Sequence, residues 1–345
     1  MESLAPADAL DLVGGGLDPE ALGTLAGRPV IVVSVDDTPA TARCAQLLVR
    51  IPCVTIGVDF PGSVPLSAEG FDILLTTRPE PPAPWLGSGP QAMLADLELA
   101  VSRSPEASVA LVQLLRLGTA LDTGSALVAE SLAYGLLQSG SGFGRWLAER
   151  TAPARPAEDH GPAVLADRSG ATLRLTLNRP SVHNAYSAAM RDALVEGLAL
   201  AAADLTIKSV ELSGAGPSFC SGGDLTEFGA TPDPVTGHLV RSTRHPAWWL
   251  AELGPKTSAF VHGSCVGAGV ELPAFAGRVV AHPDTTFRLP EVEMGLIPGA
   301  GGTASLPRRI GRHRTAYLAL TGKAIDAATA LSWGLVDEIG SGSPD

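Results

Sequence analysis

Basic residues are scarce in this chain: 24 Lys and Arg face 36 Asp and Glu, a formal net charge of −12 at pH 7. No dense Lys/Arg stripe interrupts the sequence, so a phosphate backbone would find no electrostatic footprint and nucleic acid binding is not expected. Cysteine is equally sparse. Cys44, Cys53, Cys220 and Cys265 show no C-x-x-C or related ligand spacing, and a chain of 345 residues needs no disulfide framework to hold its core. Free thiols in a reducing compartment, and no metal site, are the expectations. Long apolar runs are missing as well: none approaches about 18 residues, and the opening MESLAPADALDLVGGG has neither a basic nor an apolar leader region. A cytoplasmic protein without leader or membrane span is expected.

What the chain does have is apolar bulk and turns. Apolar residues make up 45% and charged residues 17%, with 39 Gly and 28 Pro, a composition too apolar for a disordered chain. Composition then divides it into blocks. In residues 1–90 the β-branched run Pro29 to Val35, then Cys53 to Val58 and Phe71 to Leu75, read as strands, with a helical segment from Thr41 to Arg50. That alternation predicts an α/β layer with parallel strands and shows no chemistry. The Pro-rich connector Arg78 to Gly89 leads to residues 91–156, which turn helical from Gln91 to Arg150. Leu111, Leu114 and Leu115, and then Val128, Leu132 and Leu136, recur at helical spacing and are read as core stripes.

After the polar stretch Thr151 to Pro162, residues 157–345 restart the α/β pattern. Ala171 to Leu177, Ser209 to Ser213, Ser258 to His262 and Arg278 to Ala281 are predicted strands, and Ser187 N-caps a helix to Ala203. Two glycine-rich turns stand out, Phe219-Cys220-Ser221-Gly222-Gly223-Asp224-Leu225 and His262 to Leu272 with Gly267-Ala268-Gly269 at its centre. Small residues between a strand and a helix let the backbone approach a ligand, and unpaired N–H groups there can hold a developing oxyanion. Each turn alone is more often tight packing than a site. Glu271 and, twenty residues on, Glu291 in Leu289-Pro290-Glu291-Val292-Glu293 sit in apolar, glycine-rich settings where a buried carboxylate would be costly. Two such carboxylates point to acid–base work.

These segments, together with Leu177-Asn178-Arg179-Pro180 and Asn184-Ala185, resemble in order and spacing the enoyl-CoA hydratase/isomerase (crotonase) family over roughly Ala171 to Ile339. The resemblance implies an α/β spiral of ββα units that binds an acyl-CoA thioester, coenzyme A being part of the substrate and no separate cofactor being required. It places the two oxyanion-hole amides on Ser221 and Ala268. Asn184, Ala185, Gly222, Gly223, Asp224, Leu225, Gly267, Pro298 and Gly299 would line the substrate channel. Glu271 would orient and deprotonate a water and Glu291 would serve Cα. Both glutamates being present favours hydration, with isomerisation or another acyl-CoA enolate reaction as the alternative, and a non-catalytic acyl-CoA-binding subunit as a rival of another class. The family resemblance also implies a homo-oligomer, a trimer or a dimer of trimers.

Several residues near the motifs carry blander readings. Glu293 is expected to be solvated or Arg-paired, His183 and His262 to pack or bond to backbone, and Cys220 and Cys265 to be inert for want of a partner base. The basic cluster Arg308, Arg309, Arg312, His313 and Arg314 reads equally as a solvated helix face or as a contact with coenzyme A phosphates or a second subunit. The acyl-pocket walls are expected from an irregular segment, Glu227 to Leu253. The family's core is normally followed by a helical tail over the site, whereas this sequence stops at Asp345. Residues Ser104 to Arg150 look like that tail, placed ahead of the core, and residues 1–90 like a degenerate core without the glycine turns and glutamates. A fused, rearranged chain is therefore expected, with Trp146 and Arg150 supplying the tail's aromatic and basic contacts to the substrate.

Overall fold

The computed structural model describes residues 3–12, 22–87, 89–151, 161–230 and 233–341. In the first block, helix α1 (Pro6–Leu12) precedes β1 (Val30–Ser34), α2 (Pro39–Leu48), β2 (Val54–Asp59) and β3 (Ile73–Thr76). The three strands form a parallel sheet in the order β1-β2-β3. Their run of Val, Ile and Leu is buried on both faces, as a parallel sheet covered on two sides requires. Val33, Leu74 and Phe71 pack under α1 and α2, whereas Val32, Ile56 and Leu75 join the core of the rest of the molecule.

The second block is α3 (Pro90–Arg103), α4 (Pro105–Gly118), α5 (Thr123–Gln138) and α6 (Ser141–Glu149). The expected face of α4 is buried through Leu111, Leu114 and Leu115. On α5 the outcome is the reverse of the expectation. Val128, Leu132 and Leu136 face outward, 38%, 56% and 71% exposed, while Leu127, Glu130, Ser131 and Gly135 face inward. Polar partners on the core make that face the buried one, so hydrophobic periodicity identified a stripe but chose the wrong side.

The third block contains β4 (Val164–Ser169), β5 (Thr172–Leu177), α7 (Ala188–Ala203), β6 (Ser209–Gly214), α8 (Pro234–Thr243), α9 (Pro246–Leu253), β7 (Thr257–Val261), β8 (Ser264–Val266), α10 (Ala268–Glu271), β9 (Arg278–Ala281), β10 (Thr286–Arg288), α11 (Gly302–Ile310), α12 (Arg312–Thr321), β11 (Ile325–Asp326), α13 (Ala327–Trp333) and β12 (Glu338–Ile339). Six strands form one sheet, β12-β9-β7-β6-β5-β4, parallel except for the edge pair β4–β5, and β11-β10-β8 form a second, smaller sheet. Strand β4, almost wholly exposed, carried no apolar alternation and went unforeseen. Ser187 caps α7 as expected, its Oγ accepting from the Met190 N–H at 3.3 Å. The segment expected to be irregular is largely the helical pair α8 and α9, and Trp248 lies against Gly124 on α5, outside the cavity described below.

The basic cluster is intramolecular glue. Arg308 donates to Leu121 O, Arg309 to Leu335 O and Ala276 O, and Arg312 and His313 bond to Glu69 O in the first block. Arg116 of α4 completes the join, donating to Val49, Ile51 and Cys53 carbonyls and to Asp72 at 2.6 Å. Among the described residues no helix is long and apolar enough to cross a membrane.

Candidate active site

The two glycine turns lie side by side, bridged in parallel at Cys220 and Cys265. Their closeness leaves no room for side chains: a Cβ on Gly269 would sit 2.4 Å from Cys220 O, and one on Gly267, at φ +50°, would sit 2.5 Å from Glu291 Oε1. A third segment joins them through the bridge between Tyr186 and Gly223. Around this junction is a cavity of about 270 Å³ lined by Gly223, Ala268, Glu271, Glu291, Gly299 and Tyr134, among others.

The free amides decide which part of each turn faces this space. Ala268 N–H, at the start of α10, has no acceptor among the described residues, as expected. Ser221 does not match its assigned role. Its N–H donates to His183 O at 3.0 Å, and the residue does not line the cavity. The exposed amide of the first turn belongs to Gly223. The bridge to Tyr186 uses Gly222 O and Asp224 N–H, leaving Gly223 N–H without an acceptor among the described residues. Sequence spacing located the turn, but which amide points outward depends on its pairing with Tyr186.

Both glutamates reach the cavity; Glu271 is buried, and Glu291 is half-buried with its Oε2 shielded from water. Glu271 Oε2 accepts from the N–H groups of Ala300 and Gly302 at 2.7 and 2.8 Å. Burial, followed by the charges of Glu291 and Glu130, outweighs those donors and holds its pKa well above the usual carboxylate range. Burial also pushes Glu291 up to about 7, and its Oε2 is buried with no hydrogen-bond partner. Carboxylates this close exchange protons as a group.

The third member, Glu130, comes from α5 and was not singled out from the sequence. Its oxygens accept from Gly301 N–H, Thr303 N–H and Thr303 Oγ at 2.6–2.8 Å. Glu130 and Glu271 thus alternate along the amides of residues 300 to 303, where α11 begins and its dipole favours negative charge. Burial raises Glu130 to about 7. A single Glu on a helix of the second block carried no local signal; only the contact with α11 reveals it.

Other expected site residues have structural duties. Asn184, in a left-handed conformation, accepts from Arg179 N–H and donates to Ala215 O and Ser218 O, so its side chain ties the loop rather than facing the cavity. Ala185 offers its carbonyl to Arg179, and Tyr186, Ser187 and Ala188 take the cavity wall instead. Asp224 lines the cavity and is paired with Arg179 at 2.8 Å. Gly222 lies behind it, against Val266 O, and Leu225 gives its carbonyl to Arg150. Gly299 lines the cavity beneath Tyr134, whereas Pro298 does not. Trp146 and Arg150 also lie off the cavity. Trp146 packs on Phe228, which covers Gly223, and Arg150 lies over Trp146 and donates to Leu225 O and Phe228 O. They brace the loop after the first turn.

The bland readings fare better. His183 bonds to Ser218, His262 to Gly216 O, and Glu293 pairs with Arg288 at 3.0 Å. All four cysteines are free and buried, and burial, with a smaller push from the Glu271 charge, raises the Cys220 thiol to about 12, which argues against it as a nucleophile at neutral pH.

Residues 167–343 match the family model described as enoyl-CoA hydratase/isomerase. Over 177 residues the chain is 35% identical to the 2,3-dehydroadipyl-CoA hydratase of Escherichia coli (strain K12), covering 51% of this chain and 68% of that protein. It is 34% identical over 180 residues to the 1,2-epoxyphenylacetyl-CoA isomerase of the same organism, covering 51% and 69%. A solved enoyl-CoA hydratase from Mycobacterium smegmatis is 33% identical, with 53% of this chain and 71% of that one aligned at a TM-score of 0.48. The chain belongs to the enoyl-CoA hydratase/isomerase family. Its third block is the part that matches this crotonase-type family, and it carries Gly223, Ala268, Glu271 and Glu291. Glu130 and Tyr134 lie outside the match, on a helix that precedes it in sequence and closes the cavity in space.

Proposed function

We propose that this family member is an enoyl-CoA hydratase, adding water across the 2,3 double bond of a 2-enoyl-CoA thioester. The observation that carries the reading is the meeting, in one cavity, of two glutamates with two amides that have no acceptor among the described residues. In this reading Ala268 N–H and Gly223 N–H donate to the thioester oxygen as it gains enolate charge, a preorganised arrangement in a water-poor site. Glu271, anchored through Oε2, orients a water, takes its proton and lets the oxygen bond to Cβ. Glu291, whose Oε2 has no partner, gives its proton to Cα. One water is added, and proton transfer between the two carboxyls restores the starting state. The loss of the conjugated-thioester absorbance tests the reading, and chromatography of the product separates a 3-hydroxyacyl-CoA from a double-bond isomer. An isomer alone, or no consumption, overturns it.

The second block, α3 to α6, takes the place of the family's C-terminal tail in this proposal, and residues 1–90 are an eroded copy of the core. Support comes from the packing of α5 on the cavity and of α6 on the loop after the first glycine turn, within one chain, and from the parallel β1-β2-β3 sheet.

A further inference from the structure

The charged side chains around the cavity are not equivalent. Arg191 is paired with Asp192 at 2.9 Å, and Arg244 faces Asp192 and Glu196 at 3.6 Å. Asp224 is matched by Arg179, and Glu227 accepts from Ala188 N–H. Arg241, on α8, has no carboxylate within ion-pair distance among the described residues. It is nonetheless held firmly. Nε donates to Ser131 Oγ at 2.9 Å, Nη2 to Ser131 O at 3.3 Å, and the guanidinium lies 4.7 Å over the Tyr134 ring. Nη1 has no partner among the described residues, and the residue lines the cavity.

A half-buried guanidinium, fixed in place with no carboxylate in contact and only the more distant charge of Glu130 acting on it, is an unfinished ion pair. Its place defines the missing partner. Tyr134 lies between Arg241 on one side and Gly299 on the other, so the cation is one aromatic ring from the turn beside the glutamates. With the thioester oxygen assigned to Gly223 and Ala268, we take this side of the cavity, walled by Tyr134 and Gly299, as the place of the acyl chain. We infer that the acyl group accepted here ends in a carboxylate, which completes the pair with Arg241. This rests on the hydratase reading for its direction, but its binding can be measured without any reaction. The rival is that Arg241 only offsets the charge of Glu130, in which case no substrate charge is selected.

Calorimetric titration of the whole protein with unreactive saturated thioesters decides between them: succinyl-, glutaryl- and adipyl-CoA against butyryl-, valeryl- and hexanoyl-CoA. The inference expects at least one carboxylated member to bind about tenfold or more tightly than its uncharged counterpart, an increment typical of a charge-assisted pair. Arg241→Gln should bring the two within threefold, and Arg241→Lys should keep part of the difference. Equal binding in all three pairs by the unmodified protein, or a preference that survives Arg241→Gln in a variant with unaltered circular dichroism, overturns it. The wild-type comparison stands even if the variant does not fold. Turnover of glutaconyl-CoA against 2-pentenoyl-CoA separates the two claims. A binding preference with no hydration of either sinks the hydratase reading alone, and hydration of both with no preference in binding sinks this inference alone.

Discussion

The first block and the third are both built on mainly parallel sheets with helical crossovers, and both bury acidic side chains, yet those acids are treated in opposite ways. Asp59, at the end of β2, accepts from Gly62 and Val64 N–H and from the Ser63 and Thr76 hydroxyls. Asp72 accepts from Thr55 N–H, the Thr55 hydroxyl and Arg116. In the third block Glu291 keeps a buried oxygen with no partner, and Glu271 shares a crowded negative site with Glu130 and Glu291. A buried carboxylate whose lone pairs are filled holds structure together. One left unfilled at a cavity is destabilising on its own and persists where chemistry uses it.

The comparison breaks most easily through a pair of variants. Glu271→Gln should lower hydration by about 10²–10⁴, the range for a general acid–base group, with acyl-CoA binding retained. Asp72→Asn should leave the turnover of folded protein near wild type but cost about 3–5 kcal/mol of stability, since it strands Arg116 in a buried pair. Turnover and thermal melting on both variants check this, and exchanged outcomes would dissolve the distinction. Glu130→Gln should fall between them. Losing charge-assisted acceptance of the α11 amides should cost roughly ten- to a hundredfold in turnover together with a lower melting temperature. A change in melting with no change in rate would leave Glu130 as a cap alone.

The second block gives a smaller, physical-state effect. A core of residues 161–345 expressed without residues 90–151 exposes the faces that α4 to α6 cover and should aggregate, and adding that segment back should restore solubility. Sedimentation of the two preparations tests it. The smallest effect concerns pH. Burial raises the pKa values of Glu130 and Glu291 to about 7 against an ordinary 4.5. The folded protein therefore holds these protons more tightly than the unfolded chain. Their contribution to stability is complete below the ordinary value and is lost as pH rises through about 7. Melting temperature should decline between about pH 4.5 and about pH 7, and the decline should be shallower in Glu291→Gln, which cannot titrate there.

Much of this was legible before any coordinates. The β-branched runs gave the strands and Ser187 gave a helix start, because local spacing determines both, while the family resemblance singled out the glycine turns with Glu271 and Glu291, which meet at one cavity. What escaped depends on contacts between distant segments. Gly223 rather than Ser221 faces the cavity because Tyr186 pairs with its neighbours. The outward stripe of Val128, Leu132 and Leu136 was misplaced because Glu130 and Ser131 make the polar face of α5 the inner one. Trp146 and Arg150 were found near the correct turn but brace its backbone rather than line the cavity.

The most direct test is to measure hydration by Glu291→Gln at about pH 6, where the wild-type carboxyl still holds the proton it gives to Cα, and thermal melting at about pH 8, where that carboxyl is ionised and the amide cannot be. The account predicts turnover at least a hundredfold lower, with a melting temperature equal to or above that of the wild type. Turnover within threefold of the wild type, with a lower melting temperature, would make Glu291 a structural acid like Asp72 and contradict the account at its centre.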